Sequence, residues 1–316
     1  MIRLLFAFLL LSFAAATEAR PKRIALSFDD VPRRPGAFLT PDQRTQSIIS
    51  GLAAAGVKQA VFFVTTGNLD KPEGKGGEAR IMMYAGAGHL IANHSHAHRR
   101  LSQTPVQDYL EDIDRASAWL RHRPGSRPWF RFPFLDEGRS DKAKRDSVRA
   151  GLTARGLANG YVTADGADWN MEALTVAARE AGKDMDMAAL RELYVETMVG
   201  AADFYDGLAR RTLGRSPAHV LLLHETDLAA LFLPALVEAL RKDGWEIIDA
   251  DEAYADPLAG AAPDVPSAQG TRIEAMAWQK GLPAPRWYER EDLKVANALF
   301  AERVLNQSPE TPHAKR

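Results

Sequence analysis

The sequence predicts an α/β fold: a distorted (β/α) barrel of about seven parallel strands, with a C-terminal extension packed on it. Two observations predict it. Short apolar runs alternate with helical segments from residue 22 to residue 257, the pattern of parallel strands joined by crossover helices. Polar residues suited to catalysis also stand just past the ends of five different runs: Asp29/Asp30, His94/His98, Arg131, Asp165/Asp168 and His224. A barrel brings the C-terminal ends of its strands to one face, where catalytic groups gather. An open sheet would spread five such places along a crevice.

The elements follow in order. Arg23 to Phe28 reads as a buried strand that ends at Asp29-Asp30. Pro32, Pro35 and Gly36 make a loop, and Thr40-Pro41-Asp42 opens a helix, with Thr40 as N-cap and Pro41 in its first turn. That helix runs to Ala55 and stops at Gly56. Lys58 to Val64 is a strand, Glu78 to Ala87 a helix, and His89 to Ala92 a third strand that leads into three clustered histidines. Thr104-Pro105 starts a helix to about His122, Trp129 to Phe132 is a strand, and Asp141 to Arg155 is helical. Gly160 to Thr163 reads as a strand ending in Ala164 to Trp169, and a long helical region fills roughly Asp184 to Arg211. His219 to Leu223 is a strand, Asp227 to Lys242 a helix, and Trp245 to Ile248 the last strand.

The predicted organisation is a signal peptide over 1–19, the barrel over 22–257, and an extension over 258–316. The signal is read from Arg3, the apolar run Leu4 to Ala16, and the small residues that follow, with cleavage after Ala16 or Ala19. The run is short of the roughly 20 apolar residues of a membrane-spanning helix, so no stable membrane span is expected after cleavage. With no Cys in the chain there is no disulfide framework and no lipoprotein attachment. An exported protein, periplasmic or secreted, is expected. Leu258 to Gly270 is rich in Ala, Pro and Gly and reads as a linker. Trp278, Trp287 and Tyr288 suggest packing of the remainder on the barrel, with Asn306 to Arg316 disordered.

A chain of 316 residues suffices for one domain of barrel size or two smaller ones. A net charge of -1 gives no reason to expect nucleic acid or an anionic membrane as partner.

The chemistry centres on His94-Ser95-His96-Ala97-His98, since the chain has only 8 histidines and three fall here. Neutral imidazole is the commonest metal ligand, and two histidines with one carboxylate leave positions open for water and substrate. Asp30 can supply the carboxylate. Asp29 and Asp30 are adjacent, so their side chains are expected to point in different directions, one to metal and one free as a base. His96 and His89 are read as structural. Arg131 can hold a carboxylate by a bidentate contact. His224 leaves the apolar run Val220 to Leu223 and is a candidate general acid, which Asp168 can keep protonated.

These residues resemble the polysaccharide deacetylases with a NodB homology domain, carbohydrate esterase family four. Five motifs appear in the family's order: Ser27-Phe28-Asp29-Asp30; His94-Ser95-His96-Ala97-His98; Arg131-Phe132-Pro133-Phe134; Asp165-Gly166-Ala167-Asp168-Trp169; and Leu222-Leu223-His224. The resemblance spans roughly Lys22 to Ala255. It implies a distorted barrel and roles for single residues. Asp29 would be general base, with Asp30, His94 and His98 as metal ligands. Arg131 would orient Asp29, and Asp168 would tune His224 as general acid. The Phe134 backbone N–H would serve the oxyanion, and Trp169 and Leu222 would line the acetyl pocket. Phe134 stands where many members have Tyr, which removes a hydroxyl but not the backbone donor.

The implied activity is metal-dependent removal of N-acetyl groups from N-acetylglucosamine units of a polysaccharide or oligosaccharide, chitin-like or peptidoglycan. One divalent ion is expected, zinc first, with cobalt, nickel, manganese or iron as alternatives. An O-acetyl esterase or a non-sugar amide hydrolase would use the same site. A catalytically dead carbohydrate-binding protein is disfavoured because no motif is broken. A non-haem iron oxygenase shares the two-histidine, one-carboxylate pattern, but Asp29 and His224 favour hydrolysis.

Overall fold

The computed structural model describes residues 22–266 and 270–307. The signal peptide and most of the C-terminal tail expectation lie outside those residues.

Ten-residue β1 (Lys22–Val31) is the central strand. Helix α1 (Pro41–Ala54) follows it, opened as expected by a capping box in which Thr40 and Gln43 satisfy each other's backbone N–H groups. Then come β2 (Val61–Val64), α2 (Gly77–Gly86), β3 (Leu90–Asn93), α3 (Val106–Leu120), β4 (Ser126–Phe130) and α4 (Lys142–Ala154). Two-residue strands β5 (Ala158–Asn159) and β6 (Ala164–Asp165) precede helices α5 (Asp168–Glu180) and α6 (Met187–Leu213). The alternation ends with β7 (Ala218–His224), α7 (Asp227–Lys242), β8 (Trp245–Ile247) and α8 (Ala250–Tyr254).

The strands pair in parallel in the order β5-β4-β3-β2-β1-β7-β6, with β8 pairing the start of β1. β5 and β6 are thus the two ends of the path, yet only residues 160–163 separate them. Four residues reach at most about 17 Å between the flanking Cα atoms, so the sheet has to curl until its edges nearly meet. This is the distorted barrel, open at one seam.

The expected strand at 160–163 is a correction: these residues bridge the seam. Gly160 N–H donates to Phe130 O (2.7 Å) on one side, and Thr163 N–H to Val220 O (3.0 Å) on the other. A segment passing from one edge to the other cannot run a ladder along either. Gly160 is required there, since a Cβ would lie 2.6 Å from the Phe63 ring.

Helix α5 has no counterpart among the elements expected from the sequence, although Met171, Glu172, Ala173, Leu174, Ala177 and Ala178 are good helix formers. Its start follows Ala167, held at φ 52, which gave no recognisable capping signal.

The core is one contiguous cluster in which Ile24, Leu26, Phe62, Ile91, Val220 and Leu221 of the strands meet Leu190, Leu193, Leu233 and Leu236 of the helices. A satellite cluster of Tyr109, Phe130, Phe132 and Val148 lies under α3 and α4. The extension adds α9 (Arg272–Gln279) and α10 (Leu293–Arg303). Ile273, Ala277, Phe300 and Val304 join the main core, so the extension packs on the barrel as expected. Arg272 N–H donates to Val162 O (2.8 Å), which sets the start of α9 against the seam.

Candidate active site

Parallel pairing puts Asp29 opposite His224 at the C-terminal ends of β1 and β7. The first motif is shaped by an irregularity: the register of β1 against β2 shifts between Phe28 and Val31, and Asp30 takes φ 67. Such a bulge breaks the alternation of side chains. Asp29 and Asp30 therefore do not diverge as expected. Asp29 Oδ2 and Asp30 Oδ1 both lie 3.5 Å from His94 Nε2. This corrects the expectation drawn from a regular strand.

The histidine loop is built from its own polar groups. Asn93 Oδ1 accepts from Ser95 N–H (2.7 Å), Ser95 Oγ accepts from His98 N–H (2.9 Å), and the Asp112 carboxylate accepts from His96 N–H (3.1 Å) and Ala97 N–H (3.0 Å). Ser95 and His98 both have positive φ, 68 and 53. The loop turns His94 and His98 inward and His96 outward. His96 Nδ1 pairs with Thr66 Oγ1 (3.0 Å), and its Nε2 faces Asp70 (3.6 Å). His89 is buried at the start of β3 and its pKa falls to about 4 through burial.

Asp30, His94 and His98 offer ligand atoms that all lie within 4.8 Å of one another. His98 Nε2 is 3.0 Å from Asp30 Oδ1. His94 Nδ1 is 3.0 Å from the carbonyl of Arg131, so Nδ1–H donates there and the Nε2 lone pair is free toward the two carboxylates. That is the tautomer a metal ligand needs. The donor set fits a borderline divalent cation with open coordination positions. Burial works to raise the Asp30 carboxyl, but His94, His98 and Arg33 outweigh it and hold it well below the usual carboxylate range. Arg33 Nη1 binds Asp30 Oδ2 at 2.7 Å, which leaves Oδ1 for the histidines.

Arg131 is wholly buried. Nη1 donates to Asp29 Oδ1 (2.6 Å) and Ser27 Oγ (2.9 Å), Nε to Gly160 O (2.7 Å), and Nη2 to the Tyr254 hydroxyl (2.7 Å). Its plane lies over the Phe63 ring. The expected bidentate contact is corrected: one nitrogen meets Asp29, because the rest of the fork is spent on the barrel wall. Asp29 thus keeps Oδ1 fixed and Oδ2 facing the histidines.

Asp168 begins α5 and is wholly buried. Its Oδ1 meets His224 Nδ1 at 2.7 Å, and Oδ2 accepts from His224 N–H at 2.8 Å. Burial alone would depress the imidazole; Asp168 outweighs it and pushes the pKa up to about 9. Burial also raises the neighbouring Asp165 to about 6.

The rings of Phe134 and Trp169 are exposed, at 43% and 41%. Phe134 sits at φ 59 with its ring 4.6 Å from that of His98 and under the Arg100 guanidinium. Leu222 is buried on β7, two residues before His224. The structure thus brings Asp29, Asp30, His94, His98, Arg131, Asp168 and His224 together, with Phe134, Trp169 and Leu222 on elements that border them.

Sequence reasoning missed the supports. Asp112 on α3 carries no motif signal, and Tyr254 lies beyond the fifth motif. Glu225, which follows His224, is buried and accepts from Arg33 N–H (2.7 Å) and the Tyr84 hydroxyl (2.8 Å). Its adjacency to His224 was the one available hint.

Residues 16–154 match the family described as polysaccharide deacetylase, a stretch that holds the first three motifs. No curated protein matches the chain. Among solved structures, the chitin deacetylase of the fungal pathogen Colletotrichum lindemuthianum is similar with a TM-score of 0.52 at 18% identity, over 75% of this chain and 88% of that one. A CE4 family pseudoenzyme from Bacillus anthracis is similar with a TM-score of 0.52 at 14% identity, over 74% of this chain and 66% of that one. At such identities the likeness is one of fold. The chain carries the polysaccharide deacetylase pattern over residues 16–154, on the barrel fold of carbohydrate esterase family four.

Proposed function

We propose that this protein is a metal-dependent hydrolase that removes N-acetyl groups from N-acetylglucosamine units of a polysaccharide or oligosaccharide, chitin-like or peptidoglycan. Fold alone does not decide activity, and a similar fold is found in a pseudoenzyme. The reading therefore rests on the site. One observation carries it: a carboxylate held by a buried arginine, Asp29 on Arg131, faces the Asp30, His94 and His98 donor set, opposite a histidine held by a buried aspartate, His224 on Asp168. That is a base and an acid on neighbouring strand ends beside one ligand cluster, the groups that hydrolysing an amide requires.

Asp30, His94 and His98 would hold the cation, with zinc the first candidate for this donor set. Bound there, a divalent ion supplies polarisation of the acetyl carbonyl and a more acidic water. The chain's own residues do the rest. Asp29 takes the proton of the attacking water through Oδ2, while Arg131 keeps Oδ1 fixed. The Phe134 N–H donates to the developing oxyanion, a contribution of about 3 kcal/mol for one such donor. His224, kept cationic by Asp168, gives its Nε2 proton to the leaving amine. Leu222 gives an apolar wall for the acetyl methyl, and Trp169 offers a face for a sugar ring.

The N-terminal run Leu4 to Ala16 and the small residues after it support export, to the periplasm or beyond. The test is acetate release by zinc-loaded protein from chitin oligomers, peptidoglycan and acetylated xylan. Release from the first two supports the reading. Release from xylan alone replaces it with O-acetyl esterase action.

A further inference from the structure

We infer that Tyr254 is a positioning residue for the base: it fixes the plane of the Arg131 guanidinium, and through it the oxygen of Asp29 that faces the substrate. This rests on the assignment of Asp29 as base made above.

A guanidinium carries five N–H groups. In Arg131, Nε–H goes to Gly160 O, and Nη1 serves Ser27 Oγ and Asp29 Oδ1. Nη2 is left to the Tyr254 hydroxyl at 2.7 Å and, at the long distance of 3.5 Å, to Tyr161 O. Tyr254 is thus the good partner of the nitrogen opposite Asp29. Its hydroxyl accepts from Arg131 and donates onward to Tyr161 O at 2.9 Å, so its orientation is set at both ends.

The phenol is held as firmly as the hydroxyl. Its ring meets Trp129 at 4.3 Å and Tyr161 at 5.3 Å, and the residue is buried. Helix α8, which ends on Tyr254, is tied down by Asp251, whose carboxylate takes Arg127 Nε and Nη2 at 2.8 and 2.7 Å. The Gly160 and Tyr161 carbonyls that also receive Arg131 lie between the β5 and β6 ladders, so the hydroxyl adds a fixed point at Nη2 to those that Asp29, Ser27 and the Phe63 ring provide. Without the hydroxyl, the planar guanidinium keeps Asp29 on Nη1 but loses the partner that fixes its Nη2 end, and can tilt as a unit about its Cδ–Nε bond. Small misplacements of a reacting group cost rate rather than binding.

The variant is Tyr254→Phe, which keeps the ring and its packing. In the zinc-loaded protein we expect kcat on chitin oligomers to fall about tenfold with KM within about twofold, the pattern of an interaction felt mainly in the transition state. Zinc content should be unchanged. Val304→Ala, a core truncation in the extension away from Arg131, controls for lost stability and should leave kcat within about twofold. A readout independent of activity is the 15N spectrum of the arginine guanidinium groups. Wild type should show an Arg131 with hindered rotation of both Nη groups, and Tyr254→Phe should show faster rotation at Nη2 while Nη1 stays held by Asp29 and Ser27. Unchanged kcat in an active, folded variant overturns the inference, as does free Arg131 rotation in the wild type, a result that stands even if the variant does not fold. Wild-type protein that releases no acetate from any substrate sinks the deacetylase reading instead, and the guanidinium spectra then decide Tyr254 alone.

Discussion

Asp168 holds His224 at two atoms: its Oδ1 takes Nδ1–H at 2.7 Å and its Oδ2 takes the backbone N–H at 2.8 Å. The side chain and the backbone of the proposed acid are thus fixed by one buried carboxylate. Nδ1 is committed to Asp168, so Nε2 is the atom left to face substrate.

This pair sets a pH dependence. The His224 pKa is raised from 6.5 to about 9, so the imidazolium persists through neutral pH. As an acid it works when protonated, and activity should fall as pH rises through about 9. Asp168→Asn removes the attraction and leaves burial, which lowers the pKa. The alkaline limb of kcat should then move down by two units or so, with little activity left at pH 8. An unmoved limb would show that another group is titrating.

The same shift has a stability consequence. A group whose folded pKa is raised contributes stability that is complete below its unfolded value of 6.5 and lost as pH climbs through about 9. Urea denaturation of the metal-free protein should therefore give a free energy that declines between pH 6.5 and 9. In Asp168→Asn this decline should be much reduced. Equal slopes in the two proteins would refute the linkage.

The metal ligands are carried by a loop that Asp112 organises through the His96 and Ala97 N–H groups. Asp112→Ala should cost roughly 10–100-fold in zinc affinity, as loss of an outer-shell partner does. His98→Ala should cost more, and His96→Ala little. Competition with a chromogenic chelator ranks the three, and a larger loss for His96→Ala than for His98→Ala would reverse the ligand assignment.

Arg44 and Asp227 form a buried pair at 3.1 Å, and both secure the loop behind Asp30. Asp227 Oδ2 accepts from Phe38 N–H (2.7 Å) and Leu39 N–H (2.9 Å), and Arg44 Nη2 donates to the carbonyls of Arg33 (2.9 Å) and Arg34 (2.7 Å). Arg44→Met leaves Asp227 buried without its cation and should destabilise by about 3–5 kcal/mol. Urea unfolding at pH 7 measures it. A change under about 1 kcal/mol would mean that the loop relaxes to let water in.

Much of this site is legible in the sequence because its parts end strands. Asp29, His94, Arg131 and His224 each follow an apolar run, and barrel topology gathers strand ends whatever their distance along the chain. What is not legible depends on local geometry or on distant packing. The bulge at Asp30 gives no sign in Ser27-Phe28-Asp29-Asp30, so the two carboxylates looked divergent. The seam made residues 160–163 look like a strand, since Gly-Tyr-Val-Thr is strand-like composition used for a crossing. Asp112 and Tyr254 act through contacts that only folding brings about.

The central claim is that Asp29 is the base beside a metal held by Asp30, His94 and His98. It is tested most directly by measuring zinc content and acetate release from chitin oligomers together, in wild type and Asp29→Asn. The account predicts equal zinc in both proteins, release by wild type that a chelator abolishes and zinc restores, and a rate lower by about 10²–10⁴-fold in Asp29→Asn. Zinc-loaded Asp29→Asn that releases acetate at the wild-type rate would contradict it.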